Sequence, residues 1–177
     1  MAQNSIGTAQ LTPAQRYFYE VNGYVVLKGI FSPDECRRLI ELAERMDADP
    51  ACSYKHDGYP NTPIRTVLSR CAWYAPHLLE TAMHPTILPI IEEIVGGEVR
   101  LEEHQFIINY PDPGASGEAQ GAASIRSEGW HRGIAPSFGS FQANGHSHCL
   151  FTKALIYLTE NGPGEGTWVV PGSHRLE

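Results

Sequence analysis

The chain has 177 residues, with 13 Lys and Arg against 20 Asp and Glu and a formal net charge of -7 at pH 7. The cations are scattered without a basic block, which excludes a nucleic-acid footprint, and no apolar run approaches the roughly 20 residues needed to cross a bilayer. The length suits one domain, whole or part of a larger one, with a single hydrophobic core.

Residues 1–11 read as a flexible lead, and 12–177 as the folded domain. Thr12-Pro13 starts a helix, since Thr can cap and the missing Pro N–H does no harm in the first turn. Tyr17, Phe18 and Val21 fall at helical spacing, which predicts an apolar docking face before the stop at Asn22-Gly23. Tyr24–Leu27 reads as a buried strand. Ser32-Pro33 with Glu35 three places after Ser32 is a capping box, and the helix it opens should run to about Met46 with Cys36, Leu39, Ile40 and Ala43 inward. Asp47–Pro63 is turn-rich and aromatic, either a substrate lid or a plain surface loop. Ile64–Leu68 is a candidate strand, and Ala75–Met83 and Thr86–Val95 are helical, ended by Gly96-Gly97. His77 and His84 read as helix-surface and helix-end residues.

Beyond Gly97 the pattern turns from helix to strand. Val99–Tyr110 is a candidate strand pair, and residues 112–126, rich in Gly, Ala and Ser, hold too little apolar surface to pack. Cys149–Leu158 is predicted as a core strand, and Thr167–Val170 as its hairpin partner. Helices first and strands second give an α+β chain, a barrel or sandwich with helices outside, and a jelly roll of this kind holds a site in its mouth. The four cysteines form no CxxC pair, which argues against a zinc ribbon and for reduced thiols in a cytoplasmic protein. Residues 1–10 carry no basic patch followed by an apolar run, so no secretory leader is expected.

The chemistry centres on Trp130-His131-Arg132-Gly133. Imidazole is a good ligand for ferrous iron, and positions 131 and 133 of one strand share a face. An acidic residue at 133 would complete a ligand pair, but Gly133 offers only space. The alternative is an ordinary polar His at a strand end and a glycine serving a turn. Further candidate ligands are His104, His146, His148, Glu102, Glu103 and Glu128. His146 and His148, just after Asn144-Gly145, fit a hydrated turn better than a strand face near His131. Asn109 and Tyr110 are candidate contacts for an oxoacid or substrate, although Tyr110 equally fits a packing role. Lys153 either points inward toward an anionic co-substrate or snorkels at an edge.

Taken together, Asn22–Val26, Phe31–Cys36, Trp130-His131 and Leu158–Pro163 leading to Val170–His174 resemble the phytanoyl-CoA dioxygenase family. The resemblance covers nearly the whole chain from about residue 12. It implies a double-stranded β-helix (jelly-roll, cupin-like) with flanking N-terminal helices, Fe(II), 2-oxoglutarate as co-substrate and a small-molecule prime substrate. Gly133 stands where the family's His-x-Asp motif has its carboxylate. Relatives in the wider superfamily with Gly or Ala there include halogenases, in which chloride fills the vacated position. The family's second His and its 2-oxoglutarate-binding Arg lie beyond the Pro-Gly-Ser-His block, which makes the fold incomplete at the C-terminus. His174 is then either a second ligand brought in by the hairpin or a residue capping a loop. An open barrel would expose edges, which tend to pair or aggregate. The competing reading is a non-catalytic β-helix binding domain. Zinc hydrolysis is weaker still, for want of an HExxH motif.

Overall fold

A computed structural model describes residues 10–49, 62, 64–110, 139–162 and 166–175. Both helix-start signals produce helices. Thr12 Oγ1 accepts from Gln15 N–H at 3.3 Å while Gln15 Oε1 accepts from Thr12 N–H at 2.9 Å, closing a capping box at the head of α1 (Pro13–Asn22). Ser32 and Glu35 do the same for α2 (Pro33–Ala48), at 3.3 and 2.7 Å. Each box satisfies two of the N–H groups that a helix start leaves without partners.

The remaining elements are β1 (Arg65–Leu68), α3 (Cys71–Tyr74), a 3-10 turn at Pro76–Leu78 leading into α4 (Leu79–Ala82), α5 (Ile87–Val95), β2 (Phe106–Asn109), β3 (Ser140–Ala143), β4 (His146–Cys149) and a 3-10 turn at Ser173–Arg175. Strands β1 and β2 pair antiparallel with Leu68 opposite Phe106 and Arg65 opposite Asn109. Strands β3 and β4 form a hairpin with Ala143 opposite His146. Its two-residue turn is Asn144-Gly145, with φ of 53° and 79°. Positive φ at both central residues is the type I′ arrangement, whose twist matches that of the strands it joins.

Two apolar clusters carry the packing. The first gathers Leu42 and Met46 of α2, Leu68 of β1, and Cys71, Ala75 and Leu78, with Phe106 and Ile108 of β2 against them. The second joins Leu11 to Ile90 and Ile94 of α5, with Tyr19, Val25, Leu27 and Cys149 around them. Leu11, expected at the end of a loose lead, is buried and its N–H donates to Glu93 Oε2 at 2.9 Å.

Several expectations need correction. The docking face of α1 differs from the one expected: Tyr17 is 70% exposed, Phe18 and Val21 are only partly covered, Tyr19 packs on the second cluster, and the buried residue is Arg16. The inner side of α1 meets the Ser147 carbonyl and Glu93, so a guanidinium suits it better than a hydrocarbon. Tyr24–Leu27 has no regular secondary structure and makes no ladder among the described residues; Val25 and Leu27 pack on the second cluster while Val26 is exposed. Of Val99–Tyr110 only β2 is strand, and its partner is β1 rather than a neighbouring segment. His146 and His148 belong to β4, because the turn consumes only Asn144 and Gly145. The ladder stops at Cys149, so 150–158 is not a core strand: Leu150, Leu155 and Ile156 are exposed. The expected 149–170 hairpin has no ladder among the described residues; one bond, Thr167 N–H to Tyr157 Oη at 2.8 Å, links its arms. An apolar run states that a segment needs cover, and says nothing of which strand supplies it. The α+β content stands, as helices plus two small antiparallel sheets among the described residues.

Candidate functional site

His131 and Gly133, with Glu128, Trp130 and Arg132, lie outside the described residues, as do nearly all of the Asp47–Pro63 loop and the 112–126 segment. The other candidates are placed. Asn109 ends β2, exposed, opposite Arg65. Tyr110 extends that pairing through its N–H to Ile64 O at 2.9 Å, and its hydroxyl donates to Asp47 Oδ2 at 2.9 Å. Partial burial and then the Asp47 carboxylate raise the Tyr110 phenol above its ordinary value, so it stays a hydrogen-bond donor at neutral pH. Lys153 is exposed, with Nζ 3.6 Å from Glu103 Oε2 and 5.5 Å from the Phe151 ring centre. His174 sits against the end of α1, its Nε2 3.2 Å from Glu20 O. Among the described contacts none joins the Asn109–Tyr110 strand end, the Lys153–Glu103 pair and His174 to one another.

His146 and His148 of β4 have structural partners. His148 stacks on Phe141, ring centres 5.1 Å apart, with Nδ1 3.2 Å from the carbonyls of Glu93 and Ile94 at the end of α5. His146 Nδ1 lies 2.8 Å from Glu20 Oε1. The same carboxylate takes Arg16 Nε at 3.0 Å, and the hydrogen bond to His146 leads in holding the Glu20 carboxyl below its ordinary value. This junction of Arg16, Glu20, Glu93 and β4 was missed at the level of sequence. Its available signal was the Arg16–Glu20 spacing of four on one helix.

Among the described histidines, His104 is the one whose burial shifts its titration. Thr81 Oγ1 donates to Leu78 O at 2.7 Å and therefore accepts from His104, at 3.0 Å, which puts the proton on Nε2. Nδ1 is buried with no partner, and burial lowers the imidazole pKa from its ordinary 6.5. A folded-state pKa below the unfolded one gives stability that is complete above about 6.5 and is lost as pH falls through the folded value. The urea midpoint is accordingly expected to fall between about pH 7 and pH 5, and His104→Gln to flatten that dependence. An unaltered slope in the variant would assign the loss to other groups.

A cleft of about 450 Å³ lies between the start of α2 and residues 157–160, lined by Phe31, Cys36, Ile40, Tyr157, Leu158 and Thr159 among others. It is open and largely apolar, and contains none of the sequence-derived candidates.

The segments carrying the motifs are thus on one molecule in the expected order, and a family profile described as Phytanoyl-CoA dioxygenase (PhyH) matches residues 19–177. The chain belongs to the phytanoyl-CoA dioxygenase family. It is similar to ectoine dioxygenases: 29% identical over 173 residues to that of Sphingopyxis alaskensis, covering 94% of this chain and 51% of the relative. With the ectoine dioxygenase of Bordetella parapertussis it shares 29% identity over 168 residues, covering 93% and 50%. The chain spans about half the length of the curated relatives it matches. Membership in the phytanoyl-CoA dioxygenase family implies a cupin-like jelly roll and, in general, dependence on Fe(II) and 2-oxoglutarate. The described residues do not by themselves fit an iron centre: no group of three or more His, Cys, Asp or Glu among them is placed to hold a metal. Likewise, no described helix is long and apolar enough to cross a membrane.

Proposed function

We propose that this chain is part of an Fe(II)- and 2-oxoglutarate-dependent oxidoreductase that acts on an unactivated C–H bond of a small organic molecule, built on a double-stranded β-helix. The observation that carries the reading is the family match across residues 19–177, with Trp130-His131 and Val170–His174 in the expected order. His131 is the proposed metal ligand. Gly133 leaves the neighbouring position without the carboxylate of the family's His-x-Asp motif; with water there the metal, when bound, would supply hydroxylation chemistry, and with chloride there halogenation would be the alternative outcome. Asn109 is a surface amide at the end of β2, suited to a polar group of the substrate. Tyr110 and Lys153 are already engaged by Asp47 and Glu103, and would have to exchange those partners to meet a carboxylate of the co-substrate. Ectoine, named in the relatives, is the first prime substrate to try.

The test is oxygen-dependent conversion of 2-oxoglutarate to succinate with Fe(II) and ectoine, with and without chloride, followed by product analysis. Succinate formation that drops at least about 100-fold in His131→Ala is expected, since a metal site cannot spare a ligand. Iron affinity equal in the parent chain and in His131→Ala would overturn the reading and favour a non-catalytic β-helix domain, which the absent carboxylate at 133 also suits. A Gly133→Asp variant that hydroxylates without any change in iron affinity would remove the halogenation outcome.

A further inference from the structure

Any α-helix ends with four backbone carbonyls that find no partner inside it. In α1 these belong to Tyr19, Glu20, Val21 and Asn22. Gly23, at φ of 82°, turns its N–H back to Tyr19 O at 2.7 Å. Two of the others, those of Glu20 and Asn22, are met by a segment about 150 positions along the chain. Gly172 N–H donates to Asn22 O at 3.0 Å. His174 Nε2 lies 3.2 Å from Glu20 O, and the Arg175 guanidinium donates to the same oxygen. Val21 O lies 3.6 Å from where a Cβ on Gly172 would sit.

We infer that Pro171–Arg175 is an external cap on the C-terminus of α1, and that His174 is the residue that locks it there rather than a metal ligand. A carbonyl oxygen only accepts, so Nε2 must carry the ring hydrogen and Nδ1 keeps the lone pair. Nδ1 lies beside Gly23: a Cβ built there would stand 2.5 Å from it and 2.7 Å from Cγ of the ring. With Nε2 given to Glu20 O and Nδ1 beside Gly23, the ring is seated in the end of α1 rather than among other candidate ligands. Donors of cationic type also suit the negative end of the helix dipole. Asn22-Gly23 and Pro171-Gly172-Ser173-His174, the first and last motifs of the sequence, are two halves of one contact. Gly23 is the socket, since only glycine combines its left-handed backbone with room for the ring.

The inference is tested by native-state hydrogen exchange at the Gly172 amide, read without added metal so that its failure is distinct from failure of the oxygenase reading. His174→Ala is expected to speed that exchange by about tenfold or more. His174→Gln supplies a side-chain N–H for Glu20 O and is a poor metal ligand; it is expected to restore protection to within about threefold of the parent. Gly23→Ala is expected to loosen the same amide by displacing the ring, and should it fail to fold, the two His174 variants decide. Unchanged exchange in His174→Ala, or equal loosening by Ala and Gln, would overturn the inference.

Discussion

Arg16→Met is expected to destabilise the protein by about 3 kcal/mol, read as a lower urea midpoint at unchanged slope. Arg16 is 6% exposed, with Nη2 donating to Ser147 O at 2.6 Å, Nε 3.0 Å from Glu20 Oε1 and Nη1 3.7 Å from Glu93 Oε1. Methionine keeps much of the length but removes every donor. The Ser147 carbonyl then loses its partner, and two carboxylates only 22% and 25% exposed lose their common cation. Removing one member of a buried pair costs more than the pair contributes, because the remaining charge stays desolvated. Arg16→Lys keeps the charge and loses the fork, so its loss should be about half as large. The acid limb offers a second check. The Glu20 carboxyl is held below its ordinary 4.5 by His146 first and by Arg16 as well. Its contribution is therefore present above about pH 4.5 and lost as pH falls through the folded value, and Arg16→Met should flatten that limb. A loss under about 1 kcal/mol would mean that solvent already meets the two carboxylates.

Leu68→Ala is expected to cost about 3 to 4 kcal/mol, the range for a buried leucine whose cavity cannot collapse. Leu68 is 0% exposed and packs among Leu42, Met46, Cys71, Ala75 and Leu78, where a strand, a long helix and a short one meet. Because its register partner is Phe106, the void would also loosen the only ladder that β1 and β2 make. Leu155→Ala, at a site 53% exposed, should change the unfolding free energy by no more than about 0.5 kcal/mol in the monomer. Equal losses at the two positions would indicate that 150–158 is covered in solution, as an apolar segment without a ladder invites.

The contrast between these sites shows which parts of the fold could be read from the chain. The capping signals of α2, the glycine stop at Gly96 and the strand near residue 65 depend on neighbours within four or five positions, and each formed nearly where expected. The failures depend on distant partners. Phe18 and Val21 have helical spacing, yet α1 docks through Tyr19 on the second cluster and through Arg16 on Glu93 and Ser147, so a polar residue went inside. The run from Cys149 to Leu158 has strand composition, but composition does not name a partner for its edges. The candidate site divides in the same way. His174 was legible as a notable histidine, and either of two roles fitted its sequence. The contacts that favour the cap, with Glu20 O and Gly23, come from about 150 positions away and leave no signal in the neighbouring sequence.

The Asn144-Gly145 turn sets the phase of the whole of β4. Side chains alternate across a strand, so a hairpin one residue longer or shorter turns each of them to the opposite face. His146, which meets Glu20, and His148, which lies on Phe141 and the end of α5, share one face because they are two apart, and the two-residue turn decides which face that is. A single inserted residue there would withdraw both rings at once and bring Ser147 and Cys149 round in their stead. The loop is exposed and short, the usual description of a place that tolerates insertion, yet here changes in length should be admissible only two residues at a time.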